Sequence, residues 1–147
     1  MKPQAGTYVG ILVISLASLM YEILLTRVFS VTMWHHFAFM AISLAMFGMT
    51  VGALVVYLAP KYFSDAKVVG QTAALACLFG VSAFVGFLLQ LSIRFVPAIS
   101  WESFRLLLMI YSIATVPFIF SGACITLVLT RYAGRISTVY AADLIGA

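Results

Sequence analysis

The chain has 147 residues, of which 65% are hydrophobic and only 8% are Asp, Glu, Lys or Arg, and its mean hydropathy is +1.18. Eight basic and four acidic side chains cannot cover the surface of a soluble domain, in which about a quarter of the residues are charged. This composition excludes soluble globular, disordered, collagen-like and disulfide-rich classes. The basic residues are scattered singly, which argues against a nucleic-acid partner.

Four apolar stretches are long enough to cross a lipid bilayer. Roughly 20 residues of helix span the hydrocarbon core, and a helix satisfies its own backbone hydrogen bonds there. The sequence predicts helices over about 7–26, 36–58, 69–91 and 106–130. We therefore expect a single domain over residues 1–147, an all-α integral membrane bundle of four transmembrane helices. Residues 131–147 remain as a cytoplasmic or re-entering segment, whose apolar end is typical of the start of a fifth helix.

The distribution of basic residues predicts the orientation of these spans. Loops on the cytoplasmic side carry an excess of Lys and Arg. A cytoplasmic N-terminus places five basic residues inside and three outside. This distribution favours a protein of the bacterial inner membrane with both termini in the cytoplasm. The five inside are Lys2, Lys61, Lys67, Arg131 and Arg135, and the three outside are Arg27, Arg94 and Arg105.

Small residues form stripes on the predicted helices. Transmembrane helices associate mainly by close packing, for which Gly and Ala leave room. Ala41, Ala45, Gly48 and Gly52 share one face of the second span, and Gly122 lies on one side of the fourth. We expect these faces to contact other helices, in this chain, in a homo-oligomer or in a larger membrane complex; a substrate groove is the alternative. The third span carries a similar stripe of Ala73, Cys77 and Gly80.

Glu22 is the most informative single residue. An ionisable group inside a transmembrane helix is costly unless it is paired, hydrated or protonated. Ser15, Ser18 and Thr26 share its helical face, whereas Arg27 lies about 140° around the helix. Two interpretations are open for this polar group, which comprises Glu22, Arg27, Ser18 and Thr26. It is either structural, with a hydrogen-bonded carboxyl one turn from the end of the span, or it is an intramembrane proton or cation site. We favour the structural interpretation.

The sequence predicts neither a metal site nor a catalytic site. His35 and His36 are adjacent on one helix, so their rings diverge by about 100° and cannot easily bind the same metal ion. Either histidine alone could be an axial ligand of a haem or chlorin, but we expect no cofactor. Motifs for phosphate binding, zinc hydrolysis or a nucleophile elbow are missing from the sequence, so we expect no catalytic residue in this chain.

Three segments resemble a known family. They are similar to motifs in the membrane part of spermidine-synthase-like integral membrane proteins. The segments are Tyr21-Glu22-Ile23-Leu24-Leu25-Thr26-Arg27, Phe118-Ile119-Phe120-Ser121-Gly122 and Val139-Tyr140-Ala141-Ala142-Asp143-Leu144-Ile145-Gly146-Ala147. The resemblance implies a membrane module that precedes a cytosolic aminopropyltransferase-type domain. The catalytic residues of that domain have no counterpart here, so any such activity would reside outside this chain.

Three functions follow from these patterns. The first is a membrane anchor or non-catalytic membrane subunit that packs against partner helices. The second is a small proton-coupled multidrug exporter that uses Glu22, because small multidrug resistance transporters also combine four short helices with a Glu in the first. Those transporters place this Glu nearer to mid-helix and carry a Trp in the third helix, where this chain has Phe79, Phe84 and Phe87. The third is an accessory subunit of a respiratory or photosynthetic complex.

Overall fold

The fold is that of a computed structural model, which describes residues 5–32, 35–60, 62–63, 68–92 and 101–147, the side chains of residues 5, 35–38 and 133 excepted. These residues form five α-helices and no strand, which confirms the predicted all-α class. Four of the helices are long and apolar enough to cross a membrane. The helices are α1 (Ala5–Thr32), α2 (His35–Leu58), α3 (Val68–Ser92), α4 (Trp101–Arg131) and α5 (Ile136–Gly146), with a short 3-10 helix at Ala133–Arg135.

The first and fourth helices are longer than the sequence predicted. Helix α1 does not end near Arg27 but continues to Thr32, whose hydroxyl donates a 2.7 Å hydrogen bond to the Val28 carbonyl. The residues after Arg27 are mostly apolar, and one exposed arginine does not end a helix because its long side chain can reach the interface. The helix therefore continues for ten residues beyond Glu22, whereas the predicted segment ended one turn after it. Glu22 is about 15 Å along the axis from the end of α1 and close to its middle.

Helix α4 lies at the centre of the bundle. Its aromatic contacts with α1 join the rings of Tyr21 and Phe118, whose centroids are 5.3 Å apart, and those of Phe29 and Tyr111, 5.9 Å apart. Because the α1 residue number rises as the α4 number falls, the two helices are antiparallel. These contacts belong to a core cluster that also contains residues of α2, including Ala41 and Ala45.

The α2–α4 interface depends on three glycines. A Cβ atom at Gly48 would lie 2.6 Å from the Cβ of Phe118 and 3.0 Å from the carbonyl oxygen of Thr115. A Cβ at Gly52 would fall on the backbone of Ile119 and Ala123, and one at Gly122 would fall on the backbone of Met49. The two backbones are therefore in direct contact, which only Gly permits. The side chains of Ala45 and Ala41, one and two turns before Gly48, are buried on the same side of α2.

The stripe of small residues on α3 does not lie in a helix interface. Ala73, Cys77 and Gly80 are exposed, and a Cβ added at Gly80 would meet no atom within 4 Å. Helix α3 instead packs through the opposite face, where Phe79, Gly86 and Gln90 are buried. The stripe therefore contacts no other helix in the described part of the chain, and its contact with a helix of another chain stays a prediction.

Helix α5 packs beside α1. Val139 lies in a cluster with Ile11, and Gly146 lies so close to α1 that a Cβ there would fall on the backbone of Leu12. These contacts lie in the first half of α1, so α5 packs against that half. Residues 136–146 thus form the predicted fifth helix, which packs against α1 through Val139 and Gly146 while most of its residues are exposed.

Two described residues between α2 and α3, Tyr62 and Phe63, accept hydrogen bonds from α3 and α4. The Arg131 guanidinium, at the end of α4, donates a hydrogen bond to the Phe63 carbonyl. The Gln71 side-chain amide donates to the Tyr62 carbonyl over 2.7 Å. These bonds satisfy carbonyl groups outside the helices, where the chain reverses direction.

Candidate intramembrane acidic cavity

A cavity of about 430 Å³ lies between α1, α2, α4 and α5. Two of its lining residues are acidic, Glu22 from α1 and Asp143 from α5. Since the whole chain has four acidic residues, half of them line this one cavity. Three hydroxyl side chains also line it, namely Ser15, Thr50 and Thr126, and the remaining walls include Leu19, Met49, Ala53 and Ile125.

Asp143 is held in this position by a contact with α1. The Ser15 hydroxyl donates a hydrogen bond to the Asp143 Oδ1 atom. Ser15 is buried and Asp143 is half-buried, so the bond is partly shielded from the surroundings of the bundle. The close approach of Gly146 to Leu12, one turn away on the same two helices, allows α5 to come near enough for this bond.

The Glu22 carboxylate has no such partner in the described part of the chain. Glu22 is half-buried and lines the cavity, and no described side chain donates a hydrogen bond to its carboxylate. Arg27 is exposed and forms no ion pair with Glu22 among the described residues, in agreement with its position far around the helix. The structure therefore does not bring Arg27 to Glu22.

The polar stripe of α1 divides into residues with different environments. The Thr26 hydroxyl donates to the backbone carbonyls of Glu22 and Ile23, at 2.8 and 2.9 Å, and so bonds to its own helix. Ser18 is 1% exposed, and its Oγ atom has no hydrogen-bond partner among the described residues. Ser18 therefore has an unsatisfied hydroxyl in the interior, beside the cavity-lining positions 15 and 22.

Ser121 on α4 also has a buried hydroxyl without a partner, and it lies level with Ser18 along the bundle. It is fully buried, and its Oγ atom also lacks a partner among the described residues. Ile14 shares a core cluster with Cys124, and Tyr21 contacts Phe118. Because α1 and α4 are antiparallel, these two contacts place Ser18 level with Ser121. The centre of the bundle thus contains two buried hydroxyl groups without partners in the part of the chain that the structure describes.

The other predicted site residues lie elsewhere. Gly122 has two roles, since it packs against α2 and also lines the cavity. His35 and His36 begin α2, but their side chains lie outside the described residues. Among the side chains that the structure describes, no group of three His, Cys, Asp or Glu residues could hold a metal ion.

Sequence reasoning missed Asp143 as a member of this site. The available signal was a single acidic residue in an otherwise apolar segment, the same signal that singled out Glu22. The segment after α4 was expected to be cytoplasmic or re-entering, and an aspartate in a cytoplasmic segment needs no explanation, so Asp143 was not singled out.

Comparisons of the chain with protein-family models, curated proteins and solved structures found no significant match. The resemblance to spermidine-synthase-like membrane proteins stays a prediction from the motifs. The function of the chain therefore has to be inferred from the geometry of the bundle and its cavity.

Proposed function

We propose that the chain is a membrane anchor or non-catalytic membrane subunit, similar to the membrane module of spermidine-synthase-like proteins. The observation that supports this proposal is that residues from two of the motifs behind the resemblance line the same cavity. Glu22 belongs to the first motif and Asp143 to the last, and both side chains line one cavity although they are far apart in sequence. If the motifs belong to one membrane module, we expect them to lie together in its fold.

The outer surface of the bundle supports an anchoring role. Helix α3 exposes large apolar side chains along its length, among them Val81, Phe84 and Leu88. In water such a surface would lead to aggregation, whereas in a bilayer it contacts lipid tails or partner helices. The polar chain outside the helices in the described part is too short to form a soluble active site.

Membrane retention and ion flux together test this proposal. A soluble fluorescent domain fused after Ala147 should stay in the membrane fraction after alkaline carbonate extraction, because four spans anchor it. Proteoliposomes that contain the purified chain alone should show no proton flux coupled to a cationic drug. Loss of the fusion from the membrane, or robust coupled flux from the wild-type chain, would refute the anchor function.

The second candidate function is a proton-coupled exporter, which the position of Glu22 favours. Glu22 lies close to the middle of α1 and lines a cavity, and proton exchange requires a carboxyl that can release and regain a proton. If the chain is an exporter, Glu22→Gln should abolish drug-stimulated proton flux, since Gln cannot ionise. Glu102→Gln is the matched control because Glu102 is exposed near the start of α4. Equal flux in both variants would exclude Glu22 as the coupling residue.

A further inference from the structure

We propose that an apolar groove between α1 and α3 binds a lipid-soluble quinone, whose ring lies among aromatic side chains and whose carbonyl oxygen accepts a hydrogen bond from the Tyr21 hydroxyl. This groove shares no lining residue with the acidic cavity in the described part of the chain. Such a site is additional to anchoring and does not depend on it.

The groove has the size and the walls of a site for a small apolar molecule. Its volume is about 320 Å³, within the range of small-molecule pockets. Met20, Leu24 and Phe84 are exposed at its mouth, so it opens towards the lipid tails and a ligand enters from the bilayer. The groove is lined by Ala17, Met20, Tyr21 and Leu24 of α1 and by Phe79, Ala83, Phe84 and Phe87 of α3.

The Tyr21 hydroxyl independently indicates a ligand. Among the lining residues only Tyr21 carries a side-chain oxygen or nitrogen atom. Tyr21 is 5% exposed, and its hydroxyl has no hydrogen-bond partner among the described residues. The hydroxyl oxygen lies 3.4 Å from the point that a Cβ at Gly86 would occupy, and the neighbouring Ala83 and Phe87 line the groove. Because buried hydroxyl groups almost always have partners, this one lacks an acceptor at the inner side of the groove.

The depth of Tyr21 and the aromatic walls select the type of ligand. Tyr21 lies close to the middle of α1, whereas the polar atoms of a phospholipid stay near the membrane surface. A hydrocarbon tail in the groove would leave the hydroxyl without a partner. No charged side chain lines the groove in the described part of the chain, which favours a neutral ligand. A quinone is neutral and soluble in hydrocarbon, its carbonyl groups accept hydrogen bonds, and its flat ring can stack on Phe79, Phe84 or Phe87.

Photolabelling of the purified chain in phosphatidylcholine nanodiscs tests the site. The probe is a photoreactive azidonaphthoquinone, and the labelled residues are mapped by mass spectrometry. We expect labelling of the groove residues of α1 and α3. Excess decylubiquinone should suppress it, whereas decylbenzene, which has a ring and the same tail but no carbonyl group, should not.

Two variants test the roles of the hydroxyl and of the space. Tyr21→Phe keeps the ring but removes the donor, so decylubiquinone should compete about fivefold more weakly, the usual effect of one hydrogen bond between neutral groups. Ala83→Leu fills part of the groove and should abolish specific labelling. The matched controls are Tyr57→Phe and Ala76→Leu, because both positions are exposed and lie outside the groove; each should change the competition less than about twofold.

Thermal unfolding of each variant separates lost binding from lost folding. Labelling spread evenly over the apolar surface, or equal competition by decylbenzene, would overturn the proposal in favour of a non-specific apolar ligand. Unchanged competition in folded Tyr21→Phe, or unchanged labelling in folded Ala83→Leu, would also overturn it. Membrane retention of the fusion protein is unaffected by any of these results, so failure of the quinone site and failure of the anchor function are distinguishable.

Discussion

The Ser15 hydroxyl donates a hydrogen bond to the Asp143 carboxylate, although 128 positions separate the two residues in the sequence. This bond joins the first helix to the last and defines one wall of the cavity that Glu22 also lines. It helps to hold α5 against α1, since an aspartate in an apolar helix needs a polar partner and α1 supplies one.

Replacing Gly52 by Leu should destabilise the bundle. Any side chain at this position would fall on the backbone of Ile119 and Ala123, so α2 and α4 would separate. Overpacking of a tight interface costs about 1–3 kcal/mol. We expect a lower midpoint of thermal unfolding in detergent. Gly80→Leu is the control, because a Cβ there meets open space, and equal midpoints for the two variants would show that α2 does not pack on α4 in this register.

Removing the Phe118 ring should also be costly. Phe118 is fully buried against Tyr21 in the main core cluster, and Phe→Ala in a packed interior lowers the free energy of unfolding by about 3–5 kcal/mol. Phe84→Ala should have an effect below about 1 kcal/mol, because Phe84 is 65% exposed on the lipid-facing side of α3. Denaturation in mixed micelles measures both. A larger loss for Phe84 than for Phe118 would contradict this packing.

Labelling of single cysteines tests the orientation of the bundle. Ile11 and Val139 share a cluster, so the start of α1 and the turn before α5 are at the same end. In a background with Cys77 and Cys124 replaced by Ala, Gly6→Cys and Gly134→Cys should react with a membrane-impermeant maleimide from the cytoplasmic side. Glu102→Cys should react only from the outside. Labelling of Gly6→Cys and Gly134→Cys from opposite sides would refute the four-span topology.

The sequence predicted the number and approximate position of the long helices because their length and apolarity are set by the bilayer. It could not identify which stripes of small residues pack. Gly52 contacts α4 and Gly80 is exposed, yet both lie on apolar helices, and lipid tails are as apolar as neighbouring helices. Helix periodicity therefore does not distinguish the two environments. The predicted end of α1 was too early because a charged residue such as Arg27 is typical of the end of a span, whereas α1 continues to Thr32.

The packing of α5 against α1 could not be predicted for a different reason. The partner of Asp143 is Ser15, at the other end of the chain. A single sequence contains no signal that links residues so far apart. Only the folded arrangement shows that the two acidic residues line one cavity.

Disulfide formation between positions 15 and 143 tests most directly that α5 packs against α1 and brings Asp143 to this cavity. Ser15→Cys with Asp143→Cys, in the background without Cys77 and Cys124, should cross-link within one chain on mild oxidation in native membranes, because these side chains are in contact. Leu16→Cys with Asp143→Cys should not, since Leu16 is exposed on a different face of α1. Equal cross-linking of the two pairs, or none between positions 15 and 143, would contradict this arrangement of the helices.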